Sequence, residues 1–475
     1  MIYYDRNKNS SAVSPREVRD YSSAFTIVEL LVVIVVIGIL ASITIVSYTG
    51  ISSRAVSAGL QSDLSSAASQ LKSYQAIYGS YPTTMVSNCP TAPVADSAFC
   101  LRGSGSNIMG YSSNGTIFNL SNVNSNGTTY VMSDTKAPRL ITGNLTAQAS
   151  PTIAAGTAPY PVIVSPDGKS VYAVNKTSAN ISMYSRDATT GALTALGTPT
   201  IAAGANTQGI AISPDGTSVY AANYDVNNIS MYSRNTVTGA LTALGTPTIA
   251  AGTAPRGIVV SPDGTSVYVA NYIDNTISMY SRNASTGMLT ALATPTITAG
   301  TFVRGMAISP DGKSVYATNQ TSNDVSMYSR NTTTGALTAL ATPTIAAGTA
   351  PYGITLSPDG TSVYVASYTA ATISMYSRNI TTGALTALAT PSIATGAGAE
   401  IVAVSPDGVS VYVTNYDVNS VSMYSRNTNT GNLTLLGAQT IATGTNPFGV
   451  AISPDGNSVY VTNQGTTTLS LYSRN

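Results

Sequence analysis

The sequence of 475 residues predicts a multidomain protein with a long N-terminal α-helix, a small α+β head and an all-β, seven-bladed propeller. Two observations carry this prediction. Residues 25–54 form an apolar run of membrane length, and from residue 143 onward a Ser-Pro-Asp-Gly turn recurs every 48 residues. We therefore divide the chain into a leader (1–24), a spine helix (25–78), a small head (79–142) and a propeller (143–475).

The apolar run contains one carboxylate, Glu29, and no other charge before Arg54. About 20 apolar residues suffice for a helix to span a bilayer. An ionised side chain at the bilayer centre costs roughly 2.5–3.5 kcal/mol, so a lone acid in such a run is expected to have a partner. A secretory signal would place its cleavage site after the apolar stretch. Here the predicted scissile bond, Ala24–Phe25, precedes it, so the mature chain keeps the helix.

The segment FTIVELLVVIVVIGILAS resembles the N-terminus of type IV prepilins and pseudopilins. The resemblance implies cleavage by a prepilin peptidase between Ala24 and Phe25, followed by N-methylation of Phe25. It also implies that Glu29 pairs with the terminal ammonium of a neighbouring pilin subunit during assembly. The chain departs from the family at Ala24, where Gly is usual, and at Val46, where many major pilins have Pro. An ordinary signal anchor with a stray acid is the alternative.

The helix is predicted to continue beyond the membrane as an amphipathic segment. Apolar residues recur at spacings of four and three, which is one face of an α-helix, at Leu60, Leu64, Ala67, Leu71, Tyr74 and Tyr78. Gly79 and Pro82 are expected to end it. We interpret this face as the surface that packs on the head rather than as a partner-binding stripe.

Composition favours an exported protein. The chain has no His, no Trp and two Cys, and its net charge of +1 gives no electrostatic argument for a nucleic-acid partner. Cys89 and Cys100 are expected to form a disulfide in an oxidising compartment. Two free buried thiols are the alternative, and metal ligation is disfavoured because two cysteines without histidine supply too few ligands. We predict neither a metal nor a cofactor.

The tandem array predicts four strands per 48-residue unit, which is the size of a propeller blade. The repeated turn aspartates are Asp167, Asp215, Asp263, Asp311, Asp359, Asp407 and Asp455. The array opens with a fourth-strand motif at 143–153 and ends just after a third strand. We therefore expect residues 143–153 to complete the blade that holds 449–475, which closes the ring and removes an exposed edge.

The phrases SPDGTSVYVANY (261–272) and YSRNTTTGALTAL (328–340) resemble YVTN-type and lactonase-like seven-bladed propellers. The resemblance includes 6-phosphogluconolactonases and implies catalysis by His, Glu and Arg in a central cleft. This chain has no His, and Glu400 is the only Glu of the array. A general base poised near neutral pH is therefore not evident from the sequence. We predict that the protein is not an enzyme, with a membrane-anchored lactonase-like enzyme as the alternative.

Comparison of the repeats with one another predicts a recognition face. The strand 1–2 and strand 3–4 turns hardly change, whereas the connections on the other face diverge. The variable positions at the connection from strand 4 to strand 1, which we call the first register, are Tyr160, Gln208, Arg256, Arg304, Tyr352, Glu400 and Phe448. Those at the connection from strand 2 to strand 3, which we call the second register, include Tyr224, Tyr272, Tyr368 and Tyr416. We expect exposed loop positions around a channel mouth, although drift in tolerant loops would give the same pattern.

Within that face, Arg256 and Arg304 are expected to lie close together as unpaired charges, with Tyr352 and Phe448 as flat apolar surface beside them. Such a site suits an anionic or hydroxyl-rich ligand, for example a carbohydrate. The turn aspartates are predicted to be turn formers, and the arginines of the repeated Met-Tyr-Ser-Arg motif to be structural or solvated.

The sequence therefore predicts a pilin-like surface subunit, minor or at the tip, that displays a propeller as an adhesive or ligand-binding head. Its predicted location is the cytoplasmic membrane as a precursor and then the cell surface or an extracellular pilus. A pseudopilin of a secretion system is a further alternative.

Overall fold

The computed structural model describes residues 55–82, 84–86, 89–92, 94–104, 107–113, 115, 118–123, 129–133, 137–140 and 142–475. The predicted cleavage site at Ala24–Phe25, the assembly residue Glu29 and the predicted membrane span lie outside the described residues. Across the described part of the chain, no helix combines the length and the apolar character that crossing a membrane requires. Residues 57–475 form one compact unit.

Helix α1 occupies residues 55–78 and packs against the head along the predicted face. Leu60, Leu64 and Leu71 are fully buried, and this face packs against a core that includes Phe118 and Leu120. The helix ends at Gly79, which takes φ +81°, a conformation that glycine adopts at little cost. The predicted role of this face in head packing is confirmed.

The head combines this helix with short strands. The strands are Thr84–Val86, Cys89–Ala92, Ile108–Ser113, Phe118–Val123, Thr129–Ser133 and Arg139–Leu140, with a 3₁₀ turn at Ser97–Phe99. The first two form a hairpin, and the last four form an antiparallel sheet. Cys89 and Cys100 form the predicted disulfide.

Residues 145–474 form seven four-stranded antiparallel sheets. Blades 1 to 3 are Pro159–Val164, Ser170–Asn175, Asn180–Arg186, Leu193–Ala202; Thr207–Ile212, Ser218–Asn223, Asn228–Arg234, Leu241–Ala250; and Pro255–Val260, Ser266–Asn271, Thr276–Arg282, Leu289–Thr298. Blades 4 and 5 are Val303–Ile308, Ser314–Asn319, Asp324–Arg330, Leu337–Ala346; and Pro351–Leu356, Ser362–Ser367, Thr372–Arg378, Leu385–Ala394. Blades 6 and 7 are Ala399–Val404, Ser410–Asn415, Ser420–Arg426, Leu433–Ala442; and Pro447–Ile452, Ser458–Asn463, Thr468–Arg474, Leu145–Ala154.

The ring closes through the strand nearest the N-terminus, as predicted. Leu145–Ala154 pairs antiparallel with Thr468–Arg474, and Arg474 lies opposite Leu145. Blade 7 therefore takes three strands from the C-terminal end and one from the start of the array. The last blade gains a complete set of backbone partners by this exchange.

The hydrophobic core lies between adjacent blades. Strand 2 is buried along its whole length in every blade, because both of its faces are covered by neighbouring sheets. Between blades 2 and 3, for example, Ile229 and Met231 pack against Val267 and Val269. The outer fourth strand carries mostly exposed Thr and Ala residues, since it faces solvent at the rim.

Each pair of adjacent blades is also joined by a buried arginine. Arg234 of blade 2 reaches Asp167 of blade 1 at 3.0 Å, and its Nε donates to the Tyr172 hydroxyl at 2.8 Å. Tyr172 in turn donates to the Gly239 carbonyl of blade 2 at 2.6 Å. The seven ion pairs are Arg186–Asp455, Arg234–Asp167, Arg282–Asp215, Arg330–Asp263, Arg378–Asp311, Arg426–Asp359 and Arg474–Asp407.

These contacts refine the sequence interpretation. The turn aspartates do form turns: Asp167, for example, accepts from the Ser165 hydroxyl and from the Lys169 backbone N–H. Each carboxylate has a second role that the sequence did not indicate, because it also bonds to the arginine of the next blade. The repeated arginines are structural rather than solvated, with side chains at most 1% exposed.

The head packs on the face that carries the Ser-Pro-Asp-Gly turns. The Ser112 hydroxyl donates to the Pro406 carbonyl, and the Asn119 amide donates to the Pro454 carbonyl at 2.6 Å. Both acceptors belong to these turns, in blades 6 and 7. Asp407 is consequently the most buried turn aspartate, at 4% side-chain exposure, whereas Asp215 is 40% exposed.

This difference in burial predicts unequal costs for the same substitution. Replacing Asp407 with Asn should cost about 3–5 kcal/mol, because it removes the carboxylate beside the buried Arg474 guanidinium. Replacing Asp215 with Asn, as the matched control, should cost only about 1 kcal/mol, since solvent screens that pair. Calorimetric melting of the full chain in detergent measures both, and equal losses would contradict the account.

The same pair fixes a pH dependence. Burial by itself would raise the pKa of Asp407, but Arg474 and the Ser405 hydroxyl more than offset it and hold the pKa below its usual range. A carboxyl with a depressed pKa in the folded state stabilises the fold above its unfolded pKa of about 3.9 and loses that contribution on acidification. The stability difference between wild type and Asp407→Asn should therefore shrink below about pH 4.

Candidate ligand-binding site

The first register lines a central cavity of about 200 Å³. Six of its seven residues contribute to the lining: Tyr160, Gln208, Arg256, Arg304, Tyr352 and Phe448. Each register residue is the second residue of strand 1 rather than a loop residue. The predicted exposed loop position is therefore wrong, and Glu400 and Phe448 are only 5% and 4% exposed.

A local irregularity in each strand 1 accompanies this arrangement. The pairing of strands 1 and 2 shifts register at this point, between Pro255 and Ile258 in blade 3. Such bulges bend a strand and re-aim a side chain. The residue that follows Arg256 is Gly257, where a Cβ would lie 2.4 Å from the Arg304 carbonyl oxygen. Glycine thus allows adjacent innermost strands to approach closely.

The second register surrounds the first. Tyr224, Tyr272, Tyr368 and Tyr416 each follow strand 2 directly and are half-buried. Their hydroxyls bond to side chains of neighbouring blades: Tyr272 to Gln320 at 3.1 Å and Tyr416 to Gln464 at 2.8 Å. The structure therefore brings the two predicted registers together as concentric rings.

Arg304 and Glu400 form an ion pair inside the cavity region, at 3.1 Å, with side chains 11% and 6% exposed. Arg304 also lies 3.2 Å from the Tyr352 ring centroid and donates to the Tyr160 hydroxyl at 3.3 Å. The expectation that Arg304 is unpaired is wrong. Glu400 is the one acid of the register, and a buried charge persists only when it is paired.

Glu400 titrates near neutral pH. Burial raises its pKa to about 7, although Arg304, Arg256 and Lys176 act in the opposite direction. Burial also raises the pKa of the neighbouring Tyr160 to about 12. The sequence interpretation found no group poised near neutral pH, and Glu400 corrects it.

Arg256 lies in a different environment on the other side of the register. Its guanidinium carbon is 4.0 Å from the Tyr272 ring centroid and 5.0 Å from that of Tyr224. Among the described residues it takes part in none of the ion pairs. The expectation that Arg256 is unpaired therefore holds among the described residues, and its role in binding a ligand stays a prediction.

The predicted apolar surface beside the arginines is not open. Phe448 stacks on Tyr160 with ring centroids 3.5 Å apart, and Arg304 covers the Tyr352 ring. Both faces are already in contact with protein, so this part of the expectation is wrong. The rings of the second register, Tyr352 and Phe302 are partly exposed, whereas Tyr160 and Phe448 are buried.

Sequence reasoning missed Phe302. This residue precedes strand 1 of blade 4, has φ +56° and stacks on Tyr272 with centroids 4.7 Å apart. A signal was present, because Phe302 is the only bulky residue in its register: the other copies are Ala158, Asn206, Ala254, Ala350, Gly398 and Asn446. Within the described residues, no group of three or more His, Cys, Asp or Glu side chains is arranged to hold a metal.

Seven blades around a small central cavity define a ring-shaped propeller. The model of the lactonase, 7-bladed β-propeller family matches residues 139–303, 247–347 and 345–475, and the chain belongs to that family. The prokaryotic N-terminal methylation motif matches residues 19–45, which contain the predicted cleavage site and Glu29. The predicted fusion of a prepilin-type N-terminus with a lactonase-like propeller is confirmed.

Solved structures share the propeller fold. A candidate 6-phosphogluconolactonase from Bacteroides uniformis is 23% identical, with a TM-score of 0.55 over 71% of this chain and 97% of that one. The periplasmic gluconolactonase of Pseudomonas aeruginosa is 20% identical, with a TM-score of 0.55 over 67% and 92%. The Kuenenia stuttgartiensis hydrazine synthase is 19% identical, with a TM-score of 0.52 over 70% and 99%. No curated protein matches the chain. At these identities the likeness is one of fold.

The ion pair in the cavity predicts a pH-dependent defect. Arg304→Ser should remove about 3 kcal/mol of stability at pH 8, because it leaves the Glu400 carboxylate buried without its cation. At pH 5 the loss of stability should be smaller, because the raised pKa of Glu400 leaves its carboxyl protonated and uncharged. The uncompensated charge appears only as the pH rises through that raised pKa. Melting temperatures at pH 5 and 8 measure the effect. Arg256→Ser is the control and should show a smaller change with pH, because Arg256 lowers the pKa of Glu400 less than Arg304 does. Equal Arg304→Ser losses at both pH values would contradict the pairing.

Proposed function

We propose that this protein is a pilin-like surface subunit, minor or at the tip of a filament, whose propeller binds a hydroxyl-rich, acidic ligand in its central cavity. The observation that carries the proposal is the position of the head. The described contacts of the head with the propeller lie on the face of the Ser-Pro-Asp-Gly turns. The cavity residues lie at the opposite ends of the strands. The cavity therefore lies on the face of the ring opposite to the described head contacts.

The prepilin-type motif supports the filament part of the proposal. A helix with this motif is inserted in the cytoplasmic membrane and then assembled with other pilin subunits after the peptidase acts. A propeller of about 330 residues, which is larger than a typical domain, would crowd every position of a helical pilus. A subunit present in few copies or at the tip avoids that crowding.

The cavity supports the ligand class. Arginine forms forked hydrogen bonds to carboxylate or phosphate groups. Of the two arginines that line the cavity, Arg304 pairs with Glu400, whereas Arg256 has no ion pair among the described residues. Gln208 and the hydroxyl of Tyr160 supply further polar groups at the same level. Aromatic and Arg side chains around a concave site are typical of recognition surfaces.

The filament role is tested at Glu29. Glu29→Val should abolish incorporation into filaments, because the terminal ammonium of an incoming subunit loses its partner in an apolar environment. Membrane insertion should be unchanged or improved. Immunogold labelling and blotting of sheared filaments measure incorporation. The control is Glu17→Val in the leader, which cleavage removes, and normal incorporation of Glu29→Val would overturn the pilin-like role.

A second candidate function is lactone hydrolysis, which one observation favours. Glu400, with a pKa near 7, lies in the cavity region and pairs with Arg304. The same arginine donates to the Tyr160 hydroxyl. In such a site the Glu400 carboxylate would take a proton from water as the water oxygen attacks the lactone carbonyl. An arginine would stabilise the resulting oxyanion, the ring C–O bond would break, and the ring oxygen would take the proton as a hydroxyl group.

Turnover of δ-gluconolactone by the full chain tests this candidate. The rate above the uncatalysed background should rise with pH and be half-maximal near pH 7, as Glu400 ionises. Glu400→Gln should lower it about 100-fold or more, which is the usual scale of general-base catalysis. Absence of turnover above background would exclude hydrolysis of this lactone and favour the binding role.

A further inference from the structure

The two arginines of the cavity differ in their hydrogen-bond and ion-pair partners within the protein. Arg304 bonds to Glu400, Gln320 and Tyr160. Arg256 has contacts with two aromatic rings but no ion pair among the described residues, and its Nε is buried with no hydrogen-bond partner there. A buried donor without a partner costs about 1–3 kcal/mol. A group kept in that state is a candidate to receive a ligand atom.

Two aromatic rings lie close to the guanidinium of Arg256. Tyr272 lies 4.0 Å from the guanidinium carbon, and Tyr224 lies on the neighbouring blade at 5.0 Å. The two ring centroids are 6.3 Å apart, so the rings lie beside the cation without enclosing it, and its buried Nε–H has no partner among the described residues. Neither phenol ring can neutralise the charge, so the cation lies beside the rings without being paired.

Phe302, which precedes strand 1 of blade 4, completes this arrangement. Its ring stacks on Tyr272 at an interplanar angle of 10°, so the order across the site is Phe302, Tyr272, Arg256. Phe302 holds φ +56°, and the equivalent residues of the other blades also have a positive φ, for example Ala254 at +57°. The backbone conformation therefore belongs to the repeat, and what distinguishes blade 4 is the aromatic side chain that this position carries. The other six blades carry Ala, Asn or Gly at this register.

We infer that Arg256, held by Tyr224 and Tyr272 and backed by Phe302, is the subsite that binds the single acidic group of the ligand, a carboxylate or a phosphate. Arg256 is the binding residue, and Phe302 is a positioning residue that acts through Tyr272. This inference deepens the proposed function, since it rests on the cavity being a ligand site, and it assigns the acid to one arginine rather than to both.

Calorimetric titration of the full chain in a polyoxyethylene detergent, which contains no sugar, tests the inference. The probes are D-gluconate, inorganic phosphate and the neutral polyol sorbitol. Each is added to about 50 mM, because a ligand held mainly through one group is expected to bind weakly. Arg256→Gln and Arg256→Lys should each weaken gluconate and phosphate binding about 10-fold or more, because Lys cannot reproduce the planar fork. Phe302→Ala should weaken both about 3-fold and leave any sorbitol binding unchanged.

Lys313→Gln is the matched control, because it removes one positive charge on the turn face and should leave binding unchanged. Loss of anion binding on Lys176→Gln with none on Arg256→Gln would place the acid elsewhere and overturn the inference. Failure of both anions to bind the wild type would also overturn it. Phosphate binding that depends on Arg256, without gluconate binding, would support the subsite and contradict the proposed hydroxyl-rich ligand.

Discussion

The link between blades made by a turn aspartate, a buried arginine and a buried tyrosine is the interaction on which the structure depends. Each arginine leaves one blade and bonds to the Asp and Tyr of the preceding one, and the seventh link joins blade 1 to blade 7. The chain has 21 Lys and Arg residues in all, so the seven linking arginines take a third of them. The chain has few charged residues, and many of them form the ion pairs that join adjacent sheets.

This link also explains why the two faces of the ring differ. The aspartate, the arginine and the glycine that accepts from the tyrosine all lie at one end of the strands, so the turns there cannot vary freely. The head contacts this constant face at blades 6 and 7. The opposite ends of the strands carry no such link, and their residues differ from blade to blade. Architecture and recognition are therefore separated within a repeat of 48 residues.

Much of the fold could be predicted from the sequence because its contacts are local and periodic. The 48-residue spacing of the turns indicated the blades, and the offset between the fourth-strand motif at 143–153 and the end at Asn475 indicated how the ring closes. The face of α1 followed from the spacing of Leu60, Leu64 and Leu71. The register residues were found because the repeats could be compared with one another.

The parts that were not predicted depend on distances that no local pattern records. Asp167 and Arg234 are 67 residues apart, and both were visible as repeated residues without any sign that they bond across blades. The Arg304–Glu400 pair joins residues 96 apart, so the burial and charge state of the cavity could not be inferred. Phe302 was overlooked because its position reads as a loop, whereas its stacking on Tyr272 depends on the neighbouring blade.

The central claim is that stability lies on the linked face and recognition in the cavity. The most direct test replaces Arg256, Arg304 and Glu400 together by Gln, the residue that blade 2 already has in this register at Gln208. The account predicts a melting temperature within a few degrees of wild type, since no buried charge is left uncompensated, together with loss of gluconate binding in calorimetry. Unchanged gluconate binding, or a variant that no longer folds, would contradict it.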